Sequence, residues 1–429
     1  MDRDELRIIA GLATTLGVEA YLVGGALRDN LLGRETKDLD FALSGVSEEI
    51  PRAFAERIAG TFFWLDEERL QGRVVRKKGD DGISVYDFAP LCGASIEDDL
   101  RRRDFTINAL AIPLFGDRKG LIDPLHGRDD LGRGVIRACS ASAFDDDPLR
   151  LMRAIRFAAE LGFAIEEKSW ECICAKAPLL QGVAGERVRD ELFRTLAAPG
   201  CGASLGKLRL SGLWAQILPA GEWAICEESV ARGEGAERLC MEIVRHFPDC
   251  AEKLTDYLNR EVEAGISICS LIKLAAVLGS GERGSTAPAA EQLRLGREAG
   301  RVLDLFCRNE RAVYGRMERM TPERAIYRFF RDREPAGPGV LITGRAGGAV
   351  SAESFLTLMG YWLRQYNAGA SDLFLTGGEV MEILGVPPGR AVGEAMERLR
   401  EAERNGRVSS REEARQFIKN LLTKEEPIG

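Results

Sequence analysis

Histidine is nearly missing: a chain of 429 residues holds only His126 and His246. The ten cysteines stand at wide spacings, with Cys172 and Cys174 the one close pair and no C-x-x-C anywhere. A zinc site and a Cys-His nucleophile are therefore excluded, and the cysteines read as buried thiols in a reducing compartment. With so few imidazoles, any metal must sit on carboxylates, which favours Mg²⁺ over Zn²⁺. No apolar run reaches the roughly 18 residues needed to cross a bilayer. The opening MDRDELRIIAGLATTLG is acidic and amphipathic, unlike a signal peptide. The expectation is a cytoplasmic protein with no membrane partner. No G-x-x-x-x-G-K-[ST] occurs, so P-loop chemistry is excluded. An excess of positive charge is lacking too, with 59 Lys+Arg against 67 Asp+Glu and a net charge of -8. Taken as a total, that argues against a polyanionic partner.

What is present is ordinary globular material, 45% hydrophobic and 29% charged, long enough for about two to four domains. The first third alternates β-branched or aromatic runs (YLVGG, LDFAL, RVVRKK, ISVYDFA) with turns and helical stretches, as in a mixed α/β unit. From about Ala141 onward the apolar residues recur at helical spacing in PLRLMRAIRFAAELGF, GERVRDELFRTLAA, SICSLIKLAAVLG, AAEQLRLGREAGRVLDLFC and AVGEAMERLREAERNG. The fold class is α+β, with an N-terminal mixed α/β head followed by an extended all-α neck, body and tail. PAGE (219–222), GSGERGSTAP (279–288) and PAGPG (335–339) read as loops or boundaries. There is no tandem repeat.

Three segments carry candidate chemistry. In YLVGGALRDNLLGRETKDLDFAL (21–43) a strand runs into Gly24-Gly25, whose backbone N–H groups can approach a phosphate at a helix start, and Arg28 lies one turn on. Asp38 and Asp40, two apart on a strand, share one face. Two close carboxylates repel unless a cation lies between them, so they are candidate metal ligands, and otherwise a solvated strand end. Asp87 in ISVYDFA is a candidate third carboxylate. In EDDLRRRDFTINALAI (97–112), Arg102 and Arg103 are candidate phosphate clamps and Asn108 a positioning group, or else parts of a charged loop. In FDDDPLRLMRAIRFAAELGF (144–163), Asp147 caps a helix that Pro148 begins, and Arg150, Arg153 and Arg156 follow on one polar face. A carboxylate beside an arginine matches the amino group and bare ring nitrogen shared by cytosine and adenine, and rejects uracil and guanine.

Together these blocks, with LIDPLHGRDDL and GERVRDELFRTL, resemble the class II tRNA nucleotidyltransferases (CCA-adding enzymes) and bacterial poly(A) polymerases, within the DNA polymerase beta superfamily. The resemblance implies a catalytic head over residues 1–137 and a neck over 138–205 with the base-reading helix. It further implies a body over 206–370, read as a degenerate HD-like domain, and a tRNA-binding tail over 371–429. It implies that Gly25, Arg28, Arg103, Asp147, Arg150, Arg153 and Arg156 bind nucleotide, and the reading of the blocks themselves adds Gly24, Arg102 and Asn108 to that set. Asp38 and Asp40 would be catalytic and hold Mg²⁺, with Asp87 the candidate third catalytic carboxylate from the strand pattern, and Glu186, Arg187 and Glu191 would brace the neck. The expected partners are the tRNA 3′ end with ATP and/or CTP, and no DNA. The implied reaction adds C and/or A to tRNA, releasing pyrophosphate.

Three departures stand out. Asp146 occupies a place where the family usually has Glu. Only Pro90 to Asp98 separates the Asp87 strand from the arginine block, as in members that add only CC or only A. No His-Asp pair stands at LIKLAAVLGSGERG, where an HD motif would fall. Two alternatives are a poly(A) polymerase, disfavoured by the lack of a G-R-R-F block, and a non-catalytic tRNA-binding protein, disfavoured by the intact carboxylate pair. The acidic total does not decide against RNA, because the functional blocks concentrate arginines locally.

Overall fold

The computed structural model describes residues 3–36, 38–45, 48–77, 82–114, 120–218, 223–279, 286–308, 322–366 and 373–423. The chain divides into two compact units, one of residues 1–195 and 207–217, the other of 196–206 and 218–429.

The first unit is organised by a six-stranded sheet of β1 (Ala20–Val23), β2 (Asp38–Leu43), β3 (Thr61–Asp66), β4 (Gln71–Lys77), β5 (Ile83–Pro90) and β6 (Ala111–Pro113). Their spatial order is β3-β4-β5-β2-β1-β6. The β2 and β5 strands run parallel and the other neighbours antiparallel. The four expected strands are present, while β3, in TFFWLD, and β6 are additional.

Alternation along the strands sends one set of side chains to each face. On one face Leu22, Leu39, Phe41, Val74, Tyr86 and Phe88 pack against Ile9 and Leu12 of α1 (Arg3–Leu16) and Ile50 and Phe54 of α3 (Glu49–Arg57). Each such side chain contributes about 1.5–3 kcal/mol of hydrophobic stabilisation. Between them in sequence, α2 (Gly25–Leu31) follows β1 directly. On the opposite face Tyr21, Val23 and Ala42 are covered by Ile96 and Leu100 of α4 (Ile96–Arg101). That cover ends at β2. Over β3, β4 and β5 the face is open, and Phe63, Leu65 and Ile83 are 42%, 47% and 51% exposed.

Downstream come α5 (Gly127–Arg133), α6 (Ala143–Asp146), α7 (Arg150–Leu161), α8 (Glu167–Lys176) and α9 (Gly185–Ala197). The α7 helix buries Leu151, Met152, Ile155 and Phe157 and ends where Gly162 takes the left-handed conformation, φ 71°. It begins at Arg150, two residues after the expected Pro148. Asp147 instead sits in the α6–α7 turn, its carboxylate accepting the Leu149 N–H and its carbonyl the Arg150 N–H.

Among its described residues the second unit is helical apart from a short two-stranded ribbon. The expected AAEQLRLGREAGRVLDLFC helix is two, Ala287–Gln292 and Arg297–Cys307, broken where Arg294 has φ 50°. PAGPG is not a loop throughout: Pro338 lies in the first turn of the Gly337–Ala346 helix. The PAGE segment and residues 280–285 lie outside the described residues. Helix Ile268–Leu278 carries a buried Lys273, whose ammonium donates to Glu237 at 3.0 Å and to the Leu196 carbonyl at 2.8 Å. Helices Gly377–Leu384, Arg390–Arg404 and Arg411–Thr423 share a core of Val380, Leu399, Ala402 and Ile418. The cysteines are free but not uniformly hidden. Cys201, Cys240 and Cys307 are buried, whereas Cys92 and Cys226 are exposed, so general burial is corrected. Among the described residues no helix is long and apolar enough to cross a membrane.

Candidate active site

Strand register assembles the site. Val23 pairs with Asp40, Asp40 with Asp87, Asp87 with Arg73, and Arg73 with Phe63, so one row crosses five strands on the half-open face. Asp38 stands two residues before Asp40 on the same face, exposed at the start of β2. Asp40 lies at the edge of the covered half. Burial pushes its carboxyl above the usual carboxylate range, the neighbouring charges of Asp87 and Asp38 add to that, and Arg103 opposes it. Asp87 is held on both oxygens by Arg73, at 2.7 Å from Nε and 2.7 Å from Nη2. That bidentate bond in turn raises the Arg73 guanidinium.

The β1–α2 turn closes against this row. Gly24 has φ 75° and ψ -140°, a conformation that suits glycine. A Cβ there would lie 3.1 Å from Arg103 Nη1 and 3.3 Å from Asp40 Oδ2, so three elements converge on its bare Cα. The Gly24 N–H does not point outward as expected, since it donates to the Leu110 carbonyl at 3.3 Å. In the first turn of α2 the Leu27 and Arg28 amides donate to the Gly24 carbonyl, which leaves the Gly25 and Ala26 amides as the orphan donors of the helix start. Arg28 folds back over Gly25. Its Nε and Nη2 donate to Asp29 at 2.9 Å, its Nη1 donates to Asn108 Oδ1 at 2.8 Å, and its guanidinium lies over Phe157. Arg103 Nε and Nη2 both donate to Asp99 at 3.0 Å, which leaves Nη1 directed at Gly24.

The remaining candidates act at one remove. Asn108 is buried and bridges Arg28 to Asp104, its Nδ2 donating at 3.0 Å. Arg102 is exposed and reaches Cys92 Sγ at 3.6 Å, away from the carboxylates. Asp147 and Arg150 are not paired as expected. Asp147 accepts from Arg187 at 3.1 Å, while Arg150 donates to the carbonyls of Arg102, Arg103 and Ala143. Arg153 and Arg156 do not form an open phosphate-binding face. Arg153 grips Asp104 at 2.7 Å, and Arg156, 8% exposed at its side chain, grips Glu191 and Glu160. The reason is compensation: Asp104 and Glu191 are buried acids, and buried charge demands hydrogen-bonded partners. Burial alone would raise the Asp104 carboxyl, but the Arg153 charge and the bonds from Asn108 and the Phe105 N–H hold it below the usual range. Asp99, Arg73 and Asp104 were not singled out from the sequence. The i,i+4 spacing of Asp99 and Arg103 was a legible signal, whereas the Arg73–Asp87 pair required the strand register.

The donor set of Asp38 and Asp40 is all oxygen and mutually repulsive, which fits a hard divalent cation. Among the described residues no three His, Cys, Asp or Glu side chains form a closed cage. A magnesium site at a nucleotide needs only one or two carboxylates, with phosphate oxygens and water completing its shell.

A mixed sheet with paired acids beside a glycine turn and fixed arginines defines a nucleotidyltransferase head. Residues 20–137 match the poly A polymerase head domain, and residues 162–223 match the family described as the probable RNA and SrmB-binding site of polymerase A. A CC-adding tRNA nucleotidyltransferase of Geobacter sulfurreducens is 43% identical over 98% of this chain and 96% of its own length. An A-adding tRNA nucleotidyltransferase of Deinococcus radiodurans is 32% identical over 93% of this chain and 94% of its own. The solved Thermotoga maritima CCA-adding enzyme complexed with tRNA superposes with TM-score 0.73 over 98% of this chain and 96% of its own, at 23% identity, which shows a shared fold. The chain belongs to the tRNA nucleotidyltransferase family.

Proposed function

We propose that this enzyme extends the 3′ end of tRNA with C and/or A from CTP and/or ATP, releasing pyrophosphate. The observation that carries the reading is the convergence of Asp40, Arg103 and the Gly24 turn, with Asp38 beside them. Asp38 and Asp40 would hold Mg²⁺, which when bound offsets triphosphate charge and activates the attacking hydroxyl. The chain's own part is positioning. Arg103, fixed by Asp99, and Arg28, fixed by Asp29 and Asn108, present charge to the triphosphate without reorganising. The Gly25 and Ala26 amides at the start of α2 are offered to the same phosphates. Asp147, held by Arg187 in the α6–α7 turn, serves base selection together with Arg150.

The CC step is favoured over the A step by the closer likeness to the Geobacter CC-adding enzyme than to the Deinococcus A-adding one. The short β5–α4 connection agrees with members that add only part of CCA. Residues 91–95 span it, tied by the Leu91 N–H to the Leu43 carbonyl and the Cys92 N–H to Asp99. The division into head, neck, body and tail, with the tail holding tRNA, belongs to the same reading. Asp38→Ala tests it: nucleotide incorporation should vanish while tRNA binding, measured by filter retention, stays within about twofold. Retained turnover removes Asp38 from the metal role.

A further inference from the structure

The site divides its own sheet face in two. On the β1 side of Asp40 lie the Gly24 turn, Arg28 and Arg103, where the triphosphate is anchored. In-line displacement places the attacking oxygen opposite the leaving pyrophosphate. The RNA hydroxyl must then arrive from the other side of Asp40, over β5, β4 and β3. That is the half of the face that α4 leaves uncovered.

Register shows what stands there. From Asp40 the row continues through Asp87 and Arg73 to Phe63, and a second row runs from Asp38 through Val85 and Val75 to Thr61. Ile83, paired with Lys77, lies one step further along the same face. Phe63 and Ile83 are among the most exposed large apolar side chains of the described residues, and Lys77 beside them is exposed as well. Exposed apolar side chains grouped on one face of a sheet, here across β3, β4 and β5, mark a surface for a partner. Three strand spacings put Phe63 roughly 14 Å from Asp40, within reach of the nucleotides next to the reacting end. Unpaired RNA ends are held by stacking their bases on aromatic side chains, with cations on the backbone.

We propose that this open strip, Phe63 with Val75, Val85 and Ile83, is the platform for the unpaired 3′-terminal nucleotides of the RNA, with Phe63 stacking on a base and Lys77 meeting a phosphate. The proposal rests on the nucleotidyltransferase reading of the site. It adds the path of the second substrate and a residue that contacts it.

The test combines kinetics with cross-linking on the full chain. Phe63→Ala, at an exposed position, should raise the KM for a tRNA transcript about tenfold and leave the KM for CTP within about twofold. Phe63→Tyr should restore the tRNA KM. A transcript carrying 4-thiouridine next to its 3′ terminus should photo-cross-link to the peptides of β3 or β4, and Phe63→Ala should lose that product. An unchanged tRNA KM in Phe63→Ala with cross-links mapping elsewhere overturns the platform, provided the wild type incorporates nucleotide. So does a sedimentation shift from dimer to monomer in Phe63→Ala, which would make the strip a self-association surface. Failure of the wild type to incorporate any nucleotide sinks the enzymatic reading instead, and the cross-link with RNA alone still decides the platform.

Discussion

Gly24→Ala strikes the point where β1, β2 and the α4 end converge. Two costs follow from the structure. At φ 75° and ψ -140° a non-glycine residue is strained, at about 1–3 kcal/mol. In a unit of this size that lowers the unfolding midpoint by about 2–12 °C. The second cost falls on the site. The new methyl would sit 3.1 Å from Arg103 Nη1 and 3.3 Å from Asp40 Oδ2. Neither can yield freely: Arg103 is tied to Asp99 through Nε and Nη2, and Asp40 is fixed in β2. A displacement of some tenths of an ångström at two groups that meet the triphosphate should lower kcat/KM for CTP by roughly tenfold. The assay is initial-rate incorporation into a tRNA transcript, at a temperature where circular dichroism shows the variant fully folded. Wild-type kcat/KM in a folded Gly24→Ala protein would refute the convergence as the basis of nucleotide binding.

Other substitutions probe the supporting network. Asp99→Asn should leave the fold intact but free Arg103, raising the KM for nucleotide about tenfold with little change in the KM for tRNA. Asp104→Asn removes the buried partner of Arg153 and should cost about 3 kcal/mol at pH 7 by denaturant unfolding. The pH dependence follows from the depressed Asp104 carboxyl. The unfolded group titrates near 3.9, so the stabilisation is complete above about pH 5 and fades as pH falls below about 4 toward the folded value. Asp104→Asn should therefore flatten the acid loss of stability, and an unchanged acid profile would contradict the assignment. Arg187→Ala frees the Asp147 carboxylate and should change the ratio of CTP to ATP incorporation more than the total rate. An unchanged ratio would separate Asp147 from base choice.

Much of the head was legible in its residue patterns. The strand-Gly-Gly-helix turn and the Asp38/Asp40 alternation follow from local rules, and the structure places both sets as neighbours. What stayed hidden is pairing between distant segments. Arg153 and Arg156 read as part of one open, nucleotide-binding polar face because their spacing along α7 is all that a linear pattern shows. Their acidic partners, Asp104 and Glu191, lie 49 and 35 residues away. Asp87 read as a candidate third carboxylate with no partner in view, because the Arg73 opposite it is set by β4–β5 register. The β3 strand, TFFWLD, alternates half-buried and exposed aromatics, and its place at the sheet edge depends on a partner strand further along the chain. In the second unit, Lys273 sits where an HD motif was sought, and only the folded geometry shows that this buried polar residue is paired with Glu237.

The central claim is a short, defined extension of the tRNA 3′ end. Transcripts ending before the first C, after C and after CC, each supplied with labelled CTP or ATP and resolved at single-nucleotide length, test it directly. Growth limited to the missing C and/or A residues, stopping at the CCA end, is the predicted result, with C added to the two shorter ends if the CC step is this enzyme's own. A long A tail on any of the three, or no growth on all of them, would contradict it.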